Sequence, residues 1–239
     1  MARPSAPLNR CWISPNTLFS STIMYPLLSA VVLCVLLHTF VIALCAAAFG
    51  IKVREVSIGL GPTAFSIGRL TLRALSFGSS VRFKDSREEE LDESDMHDAF
   101  DGRSALVQML IGLSGCIALV ALSAAIWQSE AIRLVLDGFV QILWGAASPR
   151  VKAQAFLAQA EQVLAGLPFL AVLGLVAAKL AAFNLLPLPA ANGGFVLATL
   201  GRVFGIAQQW PEKLTSGLLL VYFAIALSWL AALVMYLLR

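Results

Sequence analysis

The sequence predicts an all-α polytopic membrane protein of about four transmembrane helices, with a small membrane-associated β-hairpin region after the first. Hydrophobic residues make up 59% of the 239 and charged residues 13%, with a mean hydropathy of +0.83, far from the balance of a soluble domain. Crossing a ~30 Å hydrocarbon core takes roughly 20 consecutive apolar residues, and runs at about 23–49, 105–127 and 214–238 meet that length. A fourth run, 165–186, also meets it although Lys179 lies inside it.

Residues 1–22 read as an N-terminal tail and 23–239 as a single membrane domain. The small residues of LCAAAFG at the end of the first run resemble a signal-peptide cleavage site. A signal h-region, however, is only about 7–15 residues long, so the run reads as a retained span. Residues 51–84 alternate in a strand-like way with Gly-Pro and Gly-Arg breaks, the pattern of β-hairpins. Phe65, Ile67, Leu70 and Leu72 give that region apolar surface to lie against a membrane.

The acidic stretch 85–101 reads as a solvated loop, and its His97 has no second ligand at metal-binding spacing. Segment 129–164 carries apolar residues at helical spacing in IRLVLDGFVQILWGAA and VKAQAFLAQAEQVLAGL, which predicts two short amphipathic helices at the outer membrane surface.

Within the fourth run, Lys179 is an ammonium at membrane depth. Such charges face protein or water, or the long side chain snorkels to the interface. Pro187 and Pro189 remove backbone donors and break the helix. Asn184 precedes them with an amide able to donate and accept, and Gly193 and Gly194 let the chain turn closely against its neighbours.

Orientation follows from the short loops. The loop between the first two spans carries Lys52, Arg54, Arg69, Arg73, Arg82, Lys84, Arg87 and Arg103, against Arg133, Arg150 and Lys152 in the next. The first loop is therefore expected in the cytoplasm and both termini outside, although Arg3 and Arg10 of the tail weigh the other way. The net charge of +3 is spread over dispersed residues, with no aromatic-basic patch or Gly-rich phosphate loop, which argues against a nucleic-acid partner. Cys11, Cys34, Cys45 and Cys116 show no paired metal spacing.

Several motifs resemble the site-2 protease family of intramembrane zinc metalloproteases. Residues 184–194, NLLPLPAANGG, are similar to a family stretch that ends in Leu-Asp-Gly-Gly, whose Asp binds zinc; here those positions are Ala191, Asn192, Gly193 and Gly194. Residues 50–62, GIKVREVSIGLGP, resemble the segment that follows the family's HExxH motif, and counting back places that motif on His38-Thr39-Phe40-Val41-Ile42. The first His is kept, Thr39 stands at the catalytic Glu and Ile42 at the second His. Residues 77–84, 99–115 and 138–149 extend the resemblance, which runs from about residue 24 to the C-terminus.

The resemblance implies the site-2 protease fold, in which the hairpin region dips toward the active site and helps to hold an unwound substrate strand. It also implies a multi-pass protein of the bacterial inner membrane. Segment 129–164 is too short for the PDZ domain that many relatives insert there. In the family the Asn-x-x-Pro element, here Asn184 and Pro187, contacts the substrate backbone; a helix break packed internally is the structural alternative.

In HExxH the two His sit at i and i+4 on one helix face and the Glu acts as general base, while catalytic zinc takes three protein ligands and a water. Ile42 has no lone pair, Thr39 cannot accept a proton near neutral pH, and Asn192 offers a neutral amide. His38 is the sole retained ligand, so neither a catalytic residue nor a resident metal is expected. His38 then reads either as an imidazole satisfied within the bundle or as a polar contact of Asn192. Lys179 could supply positive charge in place of zinc.

The expected function is that of a catalytically inactive member that binds or regulates a transmembrane partner, with Asn184, Pro187, Pro189, Lys179, Gly193 and Gly194 as candidate binding residues. One alternative is an active intramembrane zinc endopeptidase with an atypical site, acting in regulated intramembrane proteolysis. Another is a small transporter or channel component.

Overall fold

The computed structural model describes residues 21–87, 90, 92–206 and 211–239. Most of the expected tail 1–22, and residues 88, 89 and 91 of the acidic loop, lie outside the described residues. Seven α-helices are described: α1 Ser21–Ala48, α2 Ala105–Trp127, α3 Glu130–Ala147, α4 Lys152–Ala165, α5 Phe169–Asn184, α6 Asn192–Val203 and α7 Glu212–Leu237. Between α1 and α2 come two long strands, β1 Val53–Ile67 and β2 Leu70–Phe83, and a short 3-10 helix, Glu93–Asp98.

Three of the described helices, α1, α2 and α7, are long and apolar enough to cross a membrane. The fourth expected span is shorter than the 165–186 read from sequence: α5 has 16 residues. Pro168 is its N-cap, and after the cap at Leu185 the chain meets Pro187 and Pro189, which lack the N–H a continuing helix needs. Segment 129–164 contains two helices, α3 and α4.

α5 is the most enclosed helix, with α1, α2 and α3 packed around it. Ala177, Ala178, Ala181 and Ala182 are all fully buried on it, and such small residues let helix backbones approach closely where lipid removes the hydrophobic drive. Gly174 faces the Trp127 indole, whose Nε1 donates to the Ala171 carbonyl at 3.1 Å. Gly138 of α3 admits Ala182 in the same manner. By contrast, α7 packs mainly on α3 and α4, with Leu218, Tyr222 and Ile225 against the cluster of Leu186, Leu188 and Ala191, and is largely exposed. Its ties include the Trp229 indole to the Ile142 carbonyl at 3.0 Å, the Ser228 hydroxyl to the Ala146 carbonyl at 2.6 Å and the Gln154 amide to the Ala232 carbonyl at 2.8 Å.

The hairpin region is a folded-over sheet. Val56, Ser57 and Ile58 pair on one side with Val81, Ser80 and Ser79 and on the other with Leu70, Thr71 and Leu72, while Ile67 pairs with Leu70 around the turn. The bends that allow this fall at Gly59, Gly61 and Gly78, all with positive φ, a region open to Gly at little cost. One end of the sheet packs on the C-terminal half of α1, where Val53, Val56, Val81 and Phe83 join Ile42, Ala46, Ile51, Phe100 and Ile111. At the other end Phe65, Ile67, Leu70 and Leu72 are exposed.

The acidic loop is pinned back on this sheet. Lys84 is fully buried and its Nζ lies 2.6 Å from Asp98 Oδ1. The backbone joins in, with Lys84 N–H donating to the Lys52 carbonyl, Lys52 N–H to that of Asp98, and Phe100 N–H to that of Lys84.

α6 was not anticipated. The sequence reading takes Gly193 and Gly194 as a turn, whereas they form the first turn of this helix. What they provide is close approach rather than unusual φ. A Cβ on Gly193 would lie 2.2 Å from the Leu185 carbonyl oxygen, and one on Gly194 2.0 Å from that of Leu188.

Two outcomes follow from this packing. Gly194→Ala is expected to abolish the folded species in detergent size-exclusion profiles, because only backbone could yield, whereas Gly201→Ala, with nothing within 4 Å, should be tolerated and gain up to ~1 kcal/mol of helix propensity. The Lys84 hydrogen bond holds Asp98 below the usual carboxylate pKa, so its stabilisation is complete above pH ~4 and is lost as pH falls through the lowered folded value. Amide protection factors at residues 84–87 and 92–101, corrected for the intrinsic pH dependence of exchange, should therefore fall in acid in the wild type, and Asp98→Asn should show the lowered protection already at neutral pH.

Candidate functional site

α1, α2, β2 and the α5–α6 connection converge on one cavity of about 470 Å³. Its floor is polar and uncharged and is drawn from His38 and Thr39 of α1, Gly112 of α2, Asn184, and Asn192 at the start of α6. One wall is the consecutive stretch Ser79 to Phe83 of β2, and apolar surface comes from Ile42, Phe100, Pro189 and Phe195. At the mouth stand Arg82, Asp85, Arg87 and Arg202.

His38 is buried, at 6% exposure, and its place depends on a glycine opposite. A Cβ on Gly115 would meet His38 Nδ1 at 2.5 Å and the His38 carbonyl oxygen at 2.7 Å. The imidazole lies against the Gly115 backbone with the Asn192 side chain beside it. Its Nδ1 is buried without a hydrogen-bond partner. Asn192 Nδ2 donates to the Gly112 carbonyl at 2.5 Å, which fixes α6 on α2. The two residues that sequence reasoning paired are thus adjacent, although 154 positions separate them.

Thr39 Oγ1 lies 2.8 Å from the Val35 carbonyl oxygen and 2.6 Å from Ser79 Oγ. The first bond is local to the helix; the second fastens β2 to α1 at the cavity wall. Ile42, one turn further on, belongs to the apolar cluster with Ala46, Ile51, Val53, Phe100 and Ile111. A helix that presents His38 and Ile42 on one face therefore sends the first into polar contact and the second into hydrocarbon packing.

Among the described residues, no three His, Cys, Asp or Glu side chains gather as a metal-binding group. Around His38 the donor set consists of an imidazole, an amide and hydroxyls, which does not fit the three-ligand chemistry of catalytic zinc. Among the described residues Asp85 is the one carboxylate lining the cavity, and it is engaged at the mouth, where it accepts from Arg87 Nε at 2.8 Å and from the Arg87 N–H at 2.9 Å.

The candidate binding residues divide. Asn184 and Pro189 line the cavity, whereas Pro187, Gly193 and Gly194 shape the connection behind it. Asn184 spends one donor on the Leu180 carbonyl at 2.9 Å. Lys179 is not brought to the cavity. Its Nζ donates to the Leu134 carbonyl of α3 at 3.0 Å, with Asp137 nearby.

The mouth was not singled out from sequence. Arg202 Nη2 donates to Gln108 Oε1 at 3.0 Å and to Thr199 Oγ1 at 2.8 Å. Burial, and then the neighbouring Arg87, press its pKa below the usual guanidinium value, with Asp85 acting in the opposite direction. Arg202 gave a local signal only as a lone cation ending an apolar helix, and nothing in the linear pattern ties it to Gln108.

A family model described as Peptidase family M50 matches residues 26–229. No curated protein matches the chain.

The Thr39–Ser79 contact makes a direct expectation possible. Thr39→Val and Ser79→Ala should each loosen the cavity wall, with amide exchange across residues 79–83 about fivefold faster, the equivalent of one hydrogen bond of ~1 kcal/mol, and the double variant should add nothing further. Additive effects in exchange mass spectrometry would show that the two side chains act separately.

Proposed function

Because the chain belongs to peptidase family M50, the site-2 protease family, we propose that it is a catalytically inactive member that holds a transmembrane segment of a partner protein in this cavity. The observation that carries the proposal is the company of His38. The residue beside it is the Asn192 amide, Ile42 is committed to an apolar cluster, and the Thr39 hydroxyl is engaged with Val35 and Ser79. Peptide hydrolysis in this family's manner needs a Lewis acid to polarise the carbonyl and a base to take a proton from water. An amide and a hydroxyl supply neither at neutral pH, and a lone imidazole can take a proton but cannot by itself hold the metal that polarises the carbonyl.

Binding needs less. On the side away from β1, residues 79–83 have no strand partner among the described residues, and an unpaired edge accepts an extended peptide through its backbone groups. Asn184 and Asn192 add amides on the opposite side of the same cavity. The protein acts, in this reading, in the bacterial inner membrane. Excess Lys and Arg between α1 and α2 support a cytoplasmic cavity mouth with both termini outside. α5 serves as the fourth span: 16 residues rise about 24 Å, and the irregular 185–191 connection, with Leu186, Leu188 and Ala191 buried, extends the crossing.

The test is metal content. Zinc per chain, measured by elemental mass spectrometry on detergent-purified protein, is expected to be far below stoichiometric and unchanged by His38→Ala. Thr39→Glu, Ile42→His and Asn192→Asp combined should raise zinc toward one per chain. Near-stoichiometric zinc in the wild type that disappears with His38→Ala would overturn the proposal and favour an active endopeptidase with an atypical site.

A further inference from the structure

Three guanidiniums, Arg82, Arg87 and Arg202, and one carboxylate, Asp85, line the mouth of the cavity. Asp85 is bound to Arg87 through both Nε and backbone. Arg202 sits close enough to Arg87 and Asp85 to sense both, yet has no carboxylate at ion-pair distance among the described residues. Its two hydrogen bonds go to neutral acceptors, the Gln108 amide oxygen and the Thr199 hydroxyl, and both leave from Nη2. Of the five N–H donors of a guanidinium, those on Nε and Nη1 remain, and none of them is buried without a partner. A half-buried cation beside another cation, one carboxylate short and open to a cavity, is an arrangement that an incoming anion relieves.

We propose that Arg202 is a specificity-determining residue that accepts an acidic side chain at the cytoplasmic flank of the bound transmembrane segment. The proposal rests on the reading that the cavity holds such a segment. A peptide extended along residues 79–83 runs past the stretch Ser79 to Asp85 toward the Arg87 and Arg202 end, so that a flanking Asp or Glu comes within reach of the free donors. Recognition of this kind discriminates sharply. Most membrane segments carry Lys or Arg at their cytoplasmic end, and these meet the Arg202 guanidinium, which no carboxylate at ion-pair distance among the described residues offsets. Like charge therefore rejects the common segment while the acid selects the rare one.

The experiment is a selection on the full-length protein in phosphatidylcholine nanodiscs, using a library of single-span peptides randomised over the cytoplasmic flank. The wild type is expected to enrich Asp and Glu at one flank position, Arg202→Lys to keep that preference, Arg202→Gln to lose it by roughly tenfold, and Arg202→Glu to enrich Lys and Arg instead. The reversal is a gain that a misfolded variant cannot imitate. Enrichment without acidic preference, or a preference untouched by Arg202→Gln, overturns the assignment of Arg202 while leaving segment binding intact. No enrichment of any peptide overturns segment binding itself and this proposal with it. If the acidic preference vanishes once phosphatidylglycerol is added to the discs, an anionic lipid headgroup is the ligand of Arg202 and the peptide assignment fails.

Discussion

The site depends on one constraint: a chain that breaks its helix inside an apolar bundle must still satisfy its backbone polar groups. Between Asn184 and Asn192 the backbone does this locally, with Leu188 N–H donating to the Leu186 carbonyl at 2.8 Å and Ala191 N–H to that of Leu188 at 2.9 Å. The folded connection leaves so little room that the first turn of α6 rests on the Leu185 and Leu188 carbonyls, a contact that only Gly193 and Gly194 permit. Asn192 is delivered by that contact, and its amide reaches the Gly112 carbonyl on α2. Remove the close approach and the cavity floor loses one side.

The same economy of side-chain volume runs through the rest of the bundle. Gly115 admits His38, Gly112 admits the Phe195 ring, and the four buried alanines of α5 bring α1, α2 and α3 onto one central helix. In lipid, van der Waals contact and interhelical hydrogen bonds hold helices together rather than hydrophobic burial. The indoles of Trp127 and Trp229 and the amide of Gln154 each donate across to a carbonyl of another helix. Lys179 does likewise toward Leu134, so its charge is used in holding α3 to α5.

Polarity is graded along the cavity. The floor holds hydroxyls, amides and one imidazole; the mouth holds full charges. A charge is costly at depth and cheaper near water, and the sheet and acidic loop that carry most of the mouth are fixed outside the helices by the buried Lys84–Asp98 pair. The wall between the two zones is β2, fastened to the floor by Thr39 and Ser79.

Much of this was legible in the chain itself. Apolar run length determined the long helices α1, α2 and α7, because the hydrocarbon thickness imposes it, and strand alternation with Gly breaks determined the hairpin region. The motif around Asn192 and the spacing back from Gly50 point to His38, Thr39 and Ile42 from the sequence alone. Tertiary structure alone decided the rest. It limited the helix expected as a fourth span to 16 residues, made a helix of the segment that begins at Asn192, sent Lys179 away from the cavity, and assembled Ser79, Phe83, Phe100, Phe195 and Arg202 around it. These depend on which surfaces meet across separations of tens to more than a hundred residues, as between Gln108 and Arg202. Local periodicity reports the face a residue occupies on its own element, while the partner of that face is set by how closely the backbones can approach.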